Sequence, residues 1–184
     1  MAMPDTARRY TVEEVLGFPS DGNRYELVDG ELLVTPAPTR RHQRVVGRLY
    51  GLLFRYLTAN PGFGEPMLSP ADLTFGGRGL AQPDVFVVPL EEGDAEGWEG
   101  IRMVMLAVEV VSPSSARNDR VTKRRLYQEA GVATYWVVDA EARVVEVWQP
   151  DDDRPQIVTD VLHWRIRPDA PELAIALEDV FRDL

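Results

Sequence analysis

The sequence predicts an α/β fold: a central mixed β-sheet with α-helices packed against it. Three stretches carry that expectation. Residues 103–111 (MVMLAVEVV) are almost unbroken apolar, as suits a central strand covered on both faces. Residues 39–59 repeat apolar positions at helical spacing, through Val45, Leu49, Leu52, Leu53, Tyr56 and Leu57. Two pairs of β-prone runs are joined by short polar turns. The element order is then helix, hairpin, helix, strands, helix, hairpin, which a mixed sheet flanked by helices accommodates best.

Taken in order, residues 11–16 open with Thr11 and Glu14 in capping-box spacing and predict a short helix. Runs 24–28 and 31–35 flank Asp29-Gly30, a strong hairpin signal. Pro36 and Pro38 end that unit, and Asn60-Pro61-Gly62 stops the long helix. Strand-like stretches follow at 67–75 (broken by Pro70), 85–88 and 103–111, with the acidic, glycine-containing segment 90–100 as a solvated loop. Ser112-Pro113-Ser114-Ser115 breaks the third strand, and Asn118 or Asp119 is placed to cap a helix running to Ala130 before Gly131. Residues 134–138 and 144–148 form the second hairpin. The tail adds a strand at 161–166 and a last turn at 177–181. With no internal repeat and no linker, the 184 residues read as one domain with its core at about 10–182.

Composition narrows the chemistry. There is no cysteine, which excludes disulfides, Cys-ligated zinc, iron–sulfur clusters and a thiol nucleophile, and agrees with a reducing cytoplasm. No apolar run reaches the length of a membrane span, and residues 1–10 lack the apolar centre of a signal peptide, so a soluble intracellular protein is expected. The net charge of −10 counts against a simple nucleic-acid binder. The charge is unevenly spread: acid concentrates at 91–99 and 151–153, base at Arg40, Arg41, Arg44 and Arg48 and again at Arg117, Arg120, Lys123, Arg124 and Arg125. Of 20 basic residues only Lys123 is lysine. Lysine, unlike arginine, has a pKa that its surroundings can tune.

Glu109 stands inside the apolar strand. Burying an unpaired carboxylate costs several kcal/mol, so a cation, a metal or a raised pKa must compensate. Asp84 opens another apolar strand directly after Pro83. If the strands are neighbours, the two carboxylates converge at one edge of the sheet, a pair of hard oxygen ligands suited to Mg²⁺ or Mn²⁺. Asp119, Lys123 and Tyr127 are spaced to share one helix face, and that helix returning over the strand would bring the ammonium to the carboxylates. There it would position or deprotonate an attacking water. The same pattern also accommodates a plain buried salt bridge between Glu109 and Lys123, with Asp84 capping a turn. The two serines at 112 and 114 read as turn formers, and Gly76, Gly77 and Gly79 lack the lysine-serine and helix of a phosphate loop. Tyr127, Tyr135 and Trp136 read as packing between helix and sheet.

The runs YELVDGEL (25–32), HQRVVGRL (42–49), QPDVFVV (82–88), LAVEVVSPSS (106–115) and DRVTKRRLYQEAGVATYWVVD (119–139) together resemble the Uma2 family. The resemblance runs from about residue 10 to about 182. It implies a restriction-endonuclease-like core of the PD-(D/E)XK type, with Pro83-Asp84 similar to the PD pair and Glu109 to the second acid. The usual lysine position, two residues after Glu109, holds Val111; the resemblance implies that Lys123 on the helix replaces it. It also implies a further acid near the N-terminus, Glu26 first and Glu31 second, and a metal ligand from the carbonyl of Val110. His42 at the helix start is a candidate for contact with the site or a phosphate, and Arg117, Arg120, Arg124 and Arg125 are candidates for phosphate binding. The function so implied is Mg²⁺- or Mn²⁺-dependent hydrolysis of DNA by an endonuclease, with a twofold homodimer supplying two sites. The rival readings are a non-catalytic module that keeps the nuclease fold, and a hydrolase using Asp84 and Glu109 as acid and base in the manner of glycosidases.

Overall fold

The computed structural model describes residues 8–93 and 97–184. Two strands and a long helix fall where their local signals place them. β1 (Arg24–Val28) and β2 (Glu31–Thr35) form an antiparallel hairpin, whose turn sets Asp29 at φ 46° and Gly30 at φ 83°, a pair of left-handed residues that Asp-Gly tolerates well. α2 (Arg40–Ala59) is capped by Thr39, whose hydroxyl accepts the His42 N–H. α1 (Val12–Leu16) keeps its capping box, with both the Thr11 side chain and the Glu14 side chain engaged.

The region between them is more broken than the sequence predicts. β3 (Glu65–Leu68) and β4 (Leu73–Thr74) replace the stretch 67–75, and β5 (Gly79–Ala81) is a strand where only a glycine turn is expected. β6 (Val85–Val88) agrees, but β7 spans only Leu106–Val110, shorter than the apolar run, because Met103 lies exposed outside the ladder. The segment 90–100 contains a helical turn, α3 (Leu90–Gly93), and a 3₁₀ turn at Trp98–Gly100; residues 94–96 of it, like 1–7 of the chain, lie outside the described part.

After β7 the helix begins earlier than an Asn118 or Asp119 cap allows. Backbone bonds from Ser115 and Ala116 to the Ser112 carbonyl start it, Asn118–Lys123 is wound as π-helix, and α4 (Arg124–Glu129) completes it. The wider π turn places Asp119 inside the helix and buries it, rather than leaving it at the N-cap. β8 (Tyr135–Asp139), β9 (Val144–Trp148), β10 (Gln156–Val158), the pair β11 (Val161–Trp164) and β12 (Leu173–Ala176), and α5 (Leu177–Phe181) follow.

Six strands make the central sheet in the order β10-β9-β8-β7-β6-β3, mixed because β7 and β8 run parallel and the other pairs antiparallel. β7 alternates: Leu106, Val108 and Val110 pack on the side of α2, α5 and the β11-β12 pair, whereas Ala107 packs on the side of α4. A second sheet, β2-β1-β5-β4, lies on the α4 side and shares that core through Val28, Leu33, Leu73 and Ala81. β1 approaches β5 closely at Gly79, where a Cβ would lie 2.6 Å from the Leu27 carbonyl oxygen. That approach sets β1 beside the end of β6. No described helix is long and apolar enough to cross a membrane.

Candidate active site

Six charged side chains meet where β1, β6, β7 and the helix after β7 converge. Alternation along β1 puts Arg24 and Glu26 on one face, and each takes an oppositely charged partner from another element. Arg24 Nη1 lies 2.9 Å from Asp84 Oδ1, and Glu26 Oε2 lies 2.8 Å from Lys123 Nζ. Lys123 is also 3.0 Å from Glu109 Oε1 and 3.5 Å from Asp119 Oδ1, so a single ammonium sits among three carboxylates. It is 3% exposed and Glu26 is fully buried. Glu26 is further fixed by the Gln82 N–H at 2.8 Å. Glu31 is exposed on the far hairpin strand and has no part in the cluster.

Asp84 is held from three sides. Besides Arg24, Val110 N–H donates to Oδ2 at 2.8 Å and His42 Nε2 lies 3.1 Å from the same oxygen. An ionised carboxylate only accepts, so the ring proton of His42 sits on Nε2. Burial alone would raise the Asp84 pKa, but His42, Arg24 and the Val110 N–H outweigh it and hold the group at about 2. Glu109 goes the other way: burial pushes it well above the carboxylate range, Lys123 opposes, and Asp84, Asp119 and Glu26 reinforce the rise. Asp119 is raised by burial in the same manner. Burial pushes Lys123 down, yet Glu109, Glu26 and Asp119 more than offset it, so the amine stays protonated. A charged Lys123 has no lone pair with which to deprotonate a water.

Four acidic side chains therefore face two fixed cations, Arg24 and Lys123, and the raised pKa of Glu109 is the response to that imbalance. Part of the cluster borders a cavity of about 220 Å³, lined by Arg24, His42, Asp84, Glu109, Asp119 and Lys123 and walled by Pro36, Pro38 and Pro113. Val110 lines it too. The β6–β7 ladder ends at Val85↔Val108; continued, its register would oppose Pro83 to Val110, and proline has no N–H for the Val110 carbonyl. Asp84, Glu109 and that carbonyl are hard oxygen donors. Among the described residues no group of three or more His, Asp or Glu side chains is arranged to hold a metal ion. Two carboxylates and a carbonyl are the kind of hard oxygen donors that Mg²⁺ takes while keeping several waters.

The arginines divide. Arg120 binds Asp139 at 2.7 Å and Glu146 at 2.6 Å, and Arg124 stacks 4.7 Å from the Trp148 ring centroid while bonding Gln128. Neither reaches the cavity, because the helix spreads a sequence cluster around its circumference. Arg125 lines a separate groove of about 880 Å³ with Arg8, Arg9 and Val121. Arg117 is exposed in the helix's first turns, two residues after the serines on the cavity wall. In α2, Arg41, Arg44 and Arg48 donate to backbone carbonyls of Ala140, Asp183, Val180 and Arg182. Two residues of the site escape a sequence reading. Tyr127 donates its phenol to Glu109 Oε1 at 2.8 Å, a polar tip hidden behind an aromatic body. Arg24 is the other, and its two-residue offset from Glu26 was the available signal. Tyr135 donates to the Asp119 carbonyl at 2.9 Å.

The Uma2 family, described as "Putative restriction endonuclease", matches residues 12–178. The chain belongs to this Uma2 family. Among solved structures, it is similar to a protein of Anabaena variabilis described as "a putative nuclease belonging to DUF820", with 20% identity, a TM-score of 0.76, and coverage of 94% of this chain and 97% of that one. That likeness shows a shared fold, a central mixed sheet flanked by helices. No curated protein matches the chain.

Proposed function

We propose that this Uma2 protein is a divalent-metal-dependent endonuclease that hydrolyses DNA phosphodiester bonds, as one nuclease-fold domain working in the cytoplasm. The observation that carries the reading is the buried excess of carboxylates around a cavity, closed on one side by a lysine that stays charged. Asp84, Glu109 and the Val110 carbonyl would hold Mg²⁺ or Mn²⁺. When bound, the ion would lower the pKa of a water and offset charge on the phosphate.

The chain's own residues do the rest. Glu26 and Asp119 hold Lys123 in one place, so its ammonium is pre-aimed at the Glu109 side of the cavity. There it orients the attacking water and offsets the charge that develops on the phosphate. Tyr127 keeps Glu109 turned the same way. His42, which lines the cavity, and Arg117, exposed two residues beyond its serine wall, would contact the substrate backbone. A twofold homodimer would present two such sites to a duplex.

The test is cleavage of single- and double-stranded DNA with Mg²⁺, with Mn²⁺ and with chelator. Ion-dependent cleavage is expected from the native chain, with losses of at least a hundredfold in Asp84→Asn, Glu109→Gln and Lys123→Ala. Undiminished cleavage by these variants removes the assignment. One observation favours a second reading, a binding module that has kept the fold: both Asp84 oxygens are already engaged by protein groups. Failure to bind Mg²⁺ or Mn²⁺ in calorimetry would decide for it.

A further inference from the structure

We infer that Arg24 is an exchanging cation: it holds Asp84 in the ion-free protein and passes to a substrate phosphodiester when a divalent ion takes that carboxylate. The inference rests on the nuclease reading and assigns a residue that the family motif does not contain.

Asp84 Oδ1 has Arg24 as its partner, and Oδ2 has His42 and the Val110 N–H. Oδ2 thus has both lone pairs taken, and an ion entering at this carboxylate approaches Oδ1, the oxygen that Arg24 holds. The Val110 N–H is fixed by its strand and carries no charge. Arg24 carries a full charge that it cannot shed. Two cations on one buried carboxylate repel, so Arg24 is the group driven off.

The guanidinium has a place to go. Arg24 is the first residue of β1, paired with Thr35, whose following prolines wall the cavity. Its hydrogen bonds, to Asp84 and to the Gln82 carbonyl at 3.1 Å, both come from Nη1. Nε and Nη2 have no hydrogen-bond partner among the described residues, and the side chain is 19% exposed. Those nitrogens offer the planar fork that matches two phosphate oxygens. The anion that replaces Asp84 is then the phosphodiester.

The decisive comparison is Arg24→Gln against the native chain, measured on two ligands. Calorimetry with Mn²⁺ in the absence of DNA should show affinity at least fivefold tighter in the variant, because a competing cation is gone. Anisotropy with a fluorescein-labelled oligonucleotide in Ca²⁺ should show binding at least tenfold weaker. A merely structural role moves both affinities down together. Equal or jointly weakened affinities, with Mn²⁺-dependent cleavage by the native chain intact, overturn the exchange and leave the nuclease reading standing. Absence of Mn²⁺ binding in both proteins overturns both. Should Arg24→Gln not fold, the ¹⁵N guanidinium resonance missing from Arg24→Lys reports on the native chain. It should shift on adding Mg²⁺ and again on adding oligonucleotide; a signal unmoved by either overturns the proposal.

Discussion

Replacing Lys123 by methionine keeps the length and most of the volume of the side chain and removes only its charge. The ammonium lies 2.8 Å from Glu26, 3.0 Å from Glu109 and 3.5 Å from Asp119, all nearly inaccessible to water. Removing one partner of a buried charge pair costs about 3–5 kcal/mol, because the other is left uncompensated. For a chain of 184 residues each kcal/mol shifts the melting temperature by about 2–4 °C, so a fall of roughly 6–20 °C is expected at pH 8.

The pH dependence makes the test specific. Between pH 4 and 9 the lysine is charged in both folded and unfolded chains, so its own titration adds nothing. Without it the carboxylates lose the charge that opposes their rise, and Glu109 and Asp119 climb further above their unfolded values of about 4. The folded state then holds more protons than the unfolded state, and stability falls as pH rises through that interval. The penalty of Lys123→Met should be small near pH 4 and full at pH 8. Adding Glu26→Gln, which removes one of the three acids, should recover about 1–3 kcal/mol of it. Urea unfolding followed by tryptophan fluorescence reads all of this. A loss below about 1 kcal/mol, flat from pH 4 to 8, would mean that the ammonium is not enclosed by these acids.

Asp84 gives the opposite limb. Its pKa, depressed from 3.8 to about 2, supplies stability above the unfolded value that is lost as pH falls through about 2, on the order of 2–3 kcal/mol; Asp84→Asn should flatten the acid unfolding curve there. Tyr127→Phe deletes the donor at 2.8 Å from Glu109 while keeping the ring, and thermal melts should register a loss of about 1–3 kcal/mol. With its carboxyl pushed well above the usual range, Glu109 must give up a proton when Mg²⁺ or Mn²⁺ binds, so affinity should rise with pH and the calorimetric heat should depend on the buffer's ionisation enthalpy; a buffer-independent heat would contradict the raised value. Arg120→Ala should lower stability through Asp139 and Glu146 yet leave cleavage within about threefold, since the residue faces away from the cavity.

What the chain discloses before folding is set by how local the signal is. The Asp-Gly turn and the apolar stripe of α2 each show over a short stretch, and these elements match the structure to within a residue. Glu109 stands out because a lone charge in an apolar strand demands a partner. Which partner it takes is a tertiary matter: Glu26 is known from sequence only through resemblance, and Arg24 not at all. The π turn at Asn118–Lys123 has no repeat by which to recognise it, yet it decides that Asp119 is buried and that Arg120 looks elsewhere. Short pairing strands such as β5, β10 and β12, at three or four residues, carry too few positions to show an alternation.

The lysine's departure from the strand follows from the architecture. Side chains on β7 alternate, so positions 109 and 111 share the face on which the helix after β7 packs. A lysine at either 111 or on that helix can reach the Glu109 carboxylate, because both approach from the same side of the sheet. Val111 here packs against the helix-side core, and Lys123 comes from the helix covering it. The exchange has a consequence for the cluster. From the helix, Lys123 is also within reach of Glu26 on β1 and Asp119 one turn back; with Glu109, these acids join β1, β7 and the helix at one ammonium. Moving the lysine thus makes the site depend on β1, the same strand that delivers Arg24 to Asp84. Charge crosses between the two sheets in both directions, cation to acid and acid to cation. The hairpin that ends at the cavity's proline wall is held there by those two ion pairs.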